Sequence, residues 1–325
     1  MEKIKFLTMA ALATAFFASC SNEDGLPQSN YPADNVVRIT TSVDGMNTRA
    51  SYGGSTAKLS SFGFCINNAG SDKYTYDNIK VTQENGKWNP ATQMLWQNST
   101  TAVDILAYAP YQANGNVKIF GKSDYAFSVK EDQSIAEDYS SDLIVYKQTG
   151  FKPESDLNTN QAVNVAFTHL LSQLNLTIEL RDQFNQDEKK PVTEATVTDV
   201  KVNGTIISSK VDFSASPISV QVDDTQEATA IIPETTEFKA AGKTTDHAAF
   251  NYSAIVIPQT VTAGNFSISF KVDGTDYIWT STSDVNFVSG NKHQLSLLVG
   301  KDVVQVKGIT ATPWGKENIT QGETD

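Results

Sequence analysis

The sequence predicts a mostly β protein, on three observations. Residues 173–180 alternate polar and apolar over eight positions, which is the pattern of a half-buried strand. Residues 266–272 show the same alternation and lead into Asp273-Gly274, and Asn85-Gly86 separates a second pair of strand-like runs; both dipeptides are hairpin turn signals. No stretch sustains the 3.6-residue period of a helix, and the nearest candidate, residues 168–173, allows one or two turns at most.

Other strand candidates recur at the spacing typical of a β-sandwich, with Gly, Pro, Asn and Asp between them. They are residues 36–43, 62–66, 103–108, 163–167, 197–202, 255–257, 295–299 and 303–309. The chain of 325 residues exceeds the length of one sandwich, and the polar stretch 152–160 offers a boundary. We therefore expect two β-sandwich domains in tandem, an N-terminal one over residues 50–158 and a C-terminal one over residues 159–325.

Composition excludes several classes of function. The 37 acidic residues outnumber the 25 basic ones and give a formal net charge of -12, which disfavours binding to a nucleic-acid backbone. Two cysteines and three histidines leave little material for a Cys/His metal site, so no metal and no cofactor are expected. The histidines lie far apart in the sequence and in no nucleophile motif, so we do not expect an enzyme.

The N-terminus predicts export. Lys3 and Lys5 precede an apolar run over residues 6–17 that is too short to span a bilayer, as in a signal peptide covering residues 1–19. The run ends in Ala18-Ser19-Cys20, which resembles a bacterial lipobox. Acylation of Cys20 with chains such as palmitate would anchor the protein in the outer membrane. The alternative is an ordinary secretory signal. Cys65, the other thiol, lies in an apolar run and is expected to be a buried hydrophobic residue.

Arg49 is a candidate site of proteolysis. It follows the first strand candidate and is flanked by small and polar residues, which favours an exposed loop that can enter a protease cleft. The chain has only three arginines; Arg38 lies within a predicted strand and Arg181 just after one. An arginine-specific protease would therefore have few options besides the bond between Arg49 and Ala50. The alternative is a plain surface arginine.

The sequence also leaves glycan binding open as a function. The four tryptophans could line a sugar-binding face, although tryptophans in sandwiches more often belong to the core; they are Trp88, Trp96, Trp279 and Trp314. A surface lipoprotein that binds glycans and does not polymerise is therefore one candidate function.

Several motifs, taken in order, resemble the fimbrillins, the Mfa-like major and tip subunits of type V pili. The motifs begin with the lipobox at Cys20 and Thr48-Arg49-Ala50 after the first strand. They continue through residues 103–110, 165–178 (the most specific), 255–260 and 290–314. Each motif is degenerate alone, but together they extend over almost the whole chain.

The resemblance implies two transthyretin-like β-sandwiches and export to the cell surface as a lipidated precursor with a propeptide over residues 20–49. A surface protease would cut after Arg49 and release the first strand, to which Val36, Ile39, Thr41 and Val43 belong. An extended segment of another pilus subunit would fill the vacated groove by donor-strand exchange. The candidate donor in this chain is residues 303–309; because residues 315–325 are polar, the sequence leans towards a tip or accessory subunit.

Overall fold

The computed structural model describes residues 30–43, 58–113, 118–135, 137–184, 191–242 and 247–314. Strands dominate these ranges, which confirms the mostly β prediction. Helical structure there amounts to the single turn α1 (Pro153–Asp156) and three 3-10 turns at Asp72–Tyr74, Asp182–Phe184 and Glu194–Thr196. The strands are β1 (Arg38–Val43), β2 (Ser61–Asn67), β3 (Tyr76–Glu84), β4 (Lys87–Pro90), β5 (Val103–Ala109), β6 (Tyr125–Ser128), β7 (Ile144–Phe151), β8 (Ala162–His169), β9 (Ser172–Leu180), β10 (Val197–Asn203), β11 (Ser208–Asp212), β12 (Ser219–Val222), β13 (Glu234–Lys239), β14 (Ala248–Val256), β15 (Gln259–Val261), β16 (Ser267–Val272), β17 (Thr275–Thr280), β18 (Val285–Phe287), β19 (Asn291–Gly300) and β20 (Val303–Pro313).

Both predicted hairpins are confirmed. β16 and β17 pair antiparallel around Asp273-Gly274, and β3 and β4 pair around Asn85-Gly86. All four turn residues have positive φ, between 51° and 83°, as a two-residue type I′ hairpin loop requires.

Residues 168–173, the nearest candidate for a helix in the sequence, are not helical. β8 runs through His169 and β9 begins at Ser172, so only two residues separate the strands. The first of these, Leu170, donates its N–H to the carbonyl of Leu143 at 3.0 Å. Pairing with distant strands satisfies this backbone and overrides the weak local preference for a helical turn.

The first half of the chain builds a seven-stranded sheet in the order β1-β8-β7-β5-β2-β3-β4. The sheet curls around one apolar face, so that strands distant in the order meet. The rings of Phe62 on β2 and Phe167 on β8 lie edge to face with centroids 5.3 Å apart. These side chains belong to a core that also contains Val37 and Ile39 from the N-terminal end of the sheet.

The opposite face of this sheet packs against a three-stranded sheet, β12-β11-β6. Tyr108 on β5 is fully buried there, with its ring centroid 5.7 Å from that of Tyr125 on β6. Leu106, Tyr108 and Tyr125 belong to the larger of the two hydrophobic cores, which continues into the second half of the chain.

The second half is a β-sandwich. A five-stranded sheet, β13-β14-β9-β19-β20, packs against a three-stranded sheet, β10-β16-β17, and β15 pairs with β18 beside them. Alternate apolar residues of β9 and β19 and of β10 and β16 fill the space between the sheets. The β-sandwich prediction is therefore confirmed.

Hydrogen bonding links the two halves across the expected boundary. β8 lies beyond residue 158 but joins the first sheet, and β6 pairs with β11 of the second half. Lys147 on β7 also donates to three carbonyls of the turn after β11, those of Phe213, Ser214 and Ala215, at 2.8–2.9 Å. Division into tandem domains after residue 158 remains a prediction.

Candidate functional site

β1 lies at the edge of the seven-stranded sheet. It pairs only with β8, in parallel, with a register running from Arg38 opposite Ala162 to Val43 opposite Phe167. The other side of β1 carries no strand among the described residues. β1 is therefore a short edge strand that contributes side chains to the core.

Alternate residues of β1 are buried. Ile39 and Val43 retain 7% and 8% of their exposure, and Val37, just before the strand, retains 2%. Thr41 lies on the same side with its hydroxyl buried and without a hydrogen-bond partner, whereas Ser42 is exposed. The predicted strand set thus lies at the core face, except at one position.

That exception is Val36. It precedes β1, forms an isolated antiparallel bridge with Leu95 and is only half-buried. Val37 takes the buried place, which sequence reasoning missed. The sequence does contain this information, because successive side chains of a strand point to opposite faces of the sheet. The odd-numbered residues Val37, Ile39, Thr41 and Val43 therefore share one face, and Val36 points to the other.

β8 depends on β1 for its backbone partners. β7 pairs with β8 only at Thr168 and His169, so the part of β8 from Ala162 to Phe167 has β1 as its strand partner in the described sheet. Two further hydrogen bonds join β1 to β8 and to the turn that precedes it. The Thr40 hydroxyl donates to the Val163 carbonyl at 3.4 Å, and Asn158 Nδ2 donates to that hydroxyl at 2.9 Å.

An open groove of about 840 Å³ runs beside β1. Its walls are residues 36–41 on one side and the β3–β4 hairpin, including Trp88, on the other. β4 is the opposite edge of the same sheet, so two sheet edges face each other across the groove. The groove already reaches Ala162 at the start of β8, and without β1 it would extend along that strand.

The structure describes two of the three arginines, Arg38 and Arg181. Arg38 forms an ion pair with Asp34 at 2.6 Å, and its hydrogen bond holds the pKa of that carboxyl below its usual value. Arg181 donates to the side-chain oxygen of Gln305 on β20. Arg49, Ala50 and Cys20 lie outside the described residues. Cleavage after Arg49 and acylation of Cys20 therefore stay predictions.

The last strand, β20, also lies at a sheet edge. It pairs with β19 alone, over ten residue pairs with a bulge at Lys307. Val303, Val306 and Ile309 are 41–46% exposed. The residue that follows, Trp314, is buried.

The tryptophans do not share one face. Trp96 stacks on Phe151 and Trp314 on His169, both buried, whereas the half-buried Trp88 and Trp279 pack edge to face on phenylalanines of different sheets. The structure therefore does not assemble them into one sugar-binding platform.

The described residues hold no catalytic arrangement. None of them form a group of three or more His, Cys, Asp or Glu that could hold a metal ion. Burial raises the pKa of the Cys65 thiol well above its usual value, so this cysteine is an unreactive core residue. Within the described ranges, no helix is both long and apolar enough to cross a membrane.

Paired β-sheets with the first and last described strands at sheet edges define a protein of the β-sandwich class. The chain belongs to the fimbrillin-like family, whose model matches residues 48–314. The resemblance seen in the sequence is therefore confirmed. This membership makes the chain a subunit of cell-surface fimbriae, or pili, that associates with other subunits, and a structural protein rather than an enzyme.

Solved structures share the fold. A fimbrial protein of Bacteroides vulgatus superposes with a TM-score of 0.54 at 14% identity, covering 86% of this chain and 99% of that one. A protein of Bacteroides ovatus assigned to cell adhesion has a TM-score of 0.61 at 13% identity, and one of Bacteroides uniformis 0.57 at 20%. Both cover 87% of this chain and 99% of the other. No curated protein matches the sequence.

Proposed function

We propose that this chain is exported as a lipoprotein anchored through Cys20, is cut after Arg49 by an arginine-specific surface protease, and is assembled into a pilus by donor-strand exchange. In this mechanism β1 leaves the molecule with the propeptide, and an extended segment of another subunit replaces it. The position of β1 carries the proposal, because this strand lies at a sheet edge, ahead of the cleavage position, and fills part of the core.

Loss of β1 would be costly while the groove stays empty. It removes three buried side chains, those of Val37, Ile39 and Val43. Each contributes about 2 kcal/mol of burial free energy. It also leaves the backbone of β8 from Ala162 to Phe167 without its strand partner. An incoming strand that restores both would be held by backbone hydrogen bonds and by alternate side chains in the vacated pockets.

The role of β20 decides the place of the subunit in the pilus. Its three exposed apolar residues and its edge position suit a segment that leaves to serve as a donor. Its ten residue pairs with β19 suit an ordinary strand that stays, as in a tip or accessory subunit that only accepts a donor. We favour the tip or accessory role, because the residues after Trp314 are polar and would fill an apolar groove poorly.

The test is the mature N-terminus of the protein in sheared filaments, determined by N-terminal sequencing and intact mass. The proposal expects a chain that begins at Ala50. An Arg49→Ala variant should remain a lipidated precursor that does not enter filaments, and an Arg38→Ala variant should mature normally. Mass analysis of the Arg49→Ala precursor should show acyl chains, which a Cys20→Ala variant lacks.

A chain that still begins at acylated Cys20 in filaments would contradict removal of β1. If, in addition, the purified protein stays monomeric and binds sugars saturably, the glycan-binding lipoprotein takes the place of this proposal.

A further inference from the structure

We propose that Trp314 is an anchor that holds the C-terminal edge strand β20 to the molecule, with the buried His169–Asp142 pair as its seat. The indole ring of Trp314 stacks on the imidazole of His169 with centroids 3.9 Å apart and planes 5° from parallel. Trp314 comes directly after β20 of the five-stranded sheet, whereas His169 ends β8 of the seven-stranded sheet. The contact therefore ties the end of the last described strand to the first sheet.

Buried groups hold His169 in position under the indole ring of Trp314. His169 Nδ1 lies 2.9 Å from Asp142 Oδ1, and both side chains are completely inaccessible to solvent. The backbone N–H of Trp314 donates to the Gly290 carbonyl at 2.7 Å. Lys292 Nζ also lies over the indole, 5.8 Å from its centroid, within reach of a cation–π contact. The indole is thus enclosed by groups from β8 and β19.

Apart from its backbone ladder to β19, the rest of β20 makes few buried contacts. No residue from Val303 to Pro313 is buried, and only Val304 and Thr312 are as much as half-buried. Its attachment consists of the ladder to β19, the packing of half-buried Val304 against the main core, and a few exposed side-chain contacts, such as the ion pair of Lys307 with Glu179. Edge strands with exposed hydrogen bonds and few buried contacts open at lower free energy than the sheet they border. A single buried ring at the end of such a strand therefore controls a large part of its attachment.

Opening at this anchor would release β20 without unfolding the sheet behind it. β9 and β14 pair with each other over nine residues, and their apolar residues lie in the main core. Release would expose the edge of β19. Trp314 would hold β20 whether or not β1 is removed, so this inference does not depend on the proposed function.

The experiment is amide hydrogen exchange of the full chain, comparing β20 with β9 in the wild type and in Trp314→Ala. We expect the protection factors of β20 amides to fall at least about tenfold while those of β9 stay within about twofold. Trp314→Phe keeps an aromatic ring on His169 and should retain most of the protection. Trp88→Ala removes a half-buried indole that packs on Phe62 in the first sheet and should leave β20 unchanged.

Unchanged protection of β20 in Trp314→Ala would overturn the proposal, because the ladder alone would then hold the strand. An equal loss in β9 and β20 would also overturn it, since Trp314 would then stabilise the whole sheet rather than one strand. If Trp314→Ala fails to fold, Trp314→Leu takes its place, because it keeps an apolar side chain but removes the ring that stacks on His169. A fall in β20 protection in Trp314→Leu but not in Trp314→Phe supports the anchor, and equal protection in the two variants overturns it. A loss confined to β20 in Trp88→Ala would likewise contradict a local anchor.

Discussion

At the scale of single residues, buried polar side chains replace backbone partners where strands end. The Gln133 side chain accepts from the N–H of Ile255 at 2.7 Å and donates to its carbonyl at 2.9 Å, as a residue of a neighbouring strand would. His293 similarly accepts the N–H of Val288 at its Nε2 atom, at 3.1 Å. Each of these groups satisfies a backbone atom that would otherwise be buried without a partner.

His293 predicts a pH dependence of stability. Burial lowers its pKa from the ordinary 6.5, and the bond from Val288 requires an unprotonated Nε2. The unfolded chain therefore binds the proton more readily. The contribution of His293 to stability is complete above pH 6.5 and is lost as the pH falls below that value, by at most about 1.4 kcal/mol per pH unit.

The measurement is urea denaturation at pH 7.5 and pH 5.0 for the wild type and His293→Gln. The variant keeps a hydrogen-bond acceptor without a titrating group, so its stability should fall less between the two pH values. An equal fall in both proteins would contradict the assignment.

At the scale of strands, local signals were readable from the sequence and long-range pairing was not. Asp273-Gly274 and Asn85-Gly86 specify their hairpins because both paired strands adjoin the turn. The parallel pairing of β1 with β8 joins residues more than 120 positions apart, and no local pattern records it. For the same reason, the first-strand segment could be predicted, but neither its partner nor the seat of Trp314 on His169 could.

The packing of β1 can be tested in the unprocessed precursor, which the Arg49→Ala substitution protects from cleavage. Adding Ile39→Ala should lower the free energy of unfolding by about 2–4 kcal/mol, because it leaves a cavity in the first core. Ser42→Ala, at the exposed position of the same strand, should change it by less than about 0.5 kcal/mol. Chemical denaturation measures both. Equal effects of the two substitutions would mean that β1 does not pack in the core.

At the scale of the whole molecule, the two halves are joined by strand pairing and by a partly buried charge. β6 of the first half pairs with β11 of the second. Lys147 places its ammonium among three carbonyls of the turn after β11, and burial lowers its pKa. The halves therefore share backbone partners rather than only a packed surface, and we expect them to unfold together.

Lys147→Met tests this junction. It keeps the aliphatic stem but removes the charged donor, so stability should fall by about 1–3 kcal/mol. Lys210→Met removes an exposed ion pair with Asp223 on the same small sheet and should cost less than about 1 kcal/mol. Thermal unfolding should stay a single transition in both variants. A separate early transition in Lys147→Met would show that the halves unfold independently.

Replacement of β1 by an extended strand is tested by hydrogen exchange of β8 in the mature chain that begins at Ala50. A synthetic peptide of residues 36–43 should restore protection to the amides of residues 162–167, because β1 is their strand partner. A peptide with Val37→Asp and Ile39→Asp should restore none, since neither charged side chain fits the apolar core. Protection of β8 that is already complete without peptide, or equal for both peptides, would contradict the account.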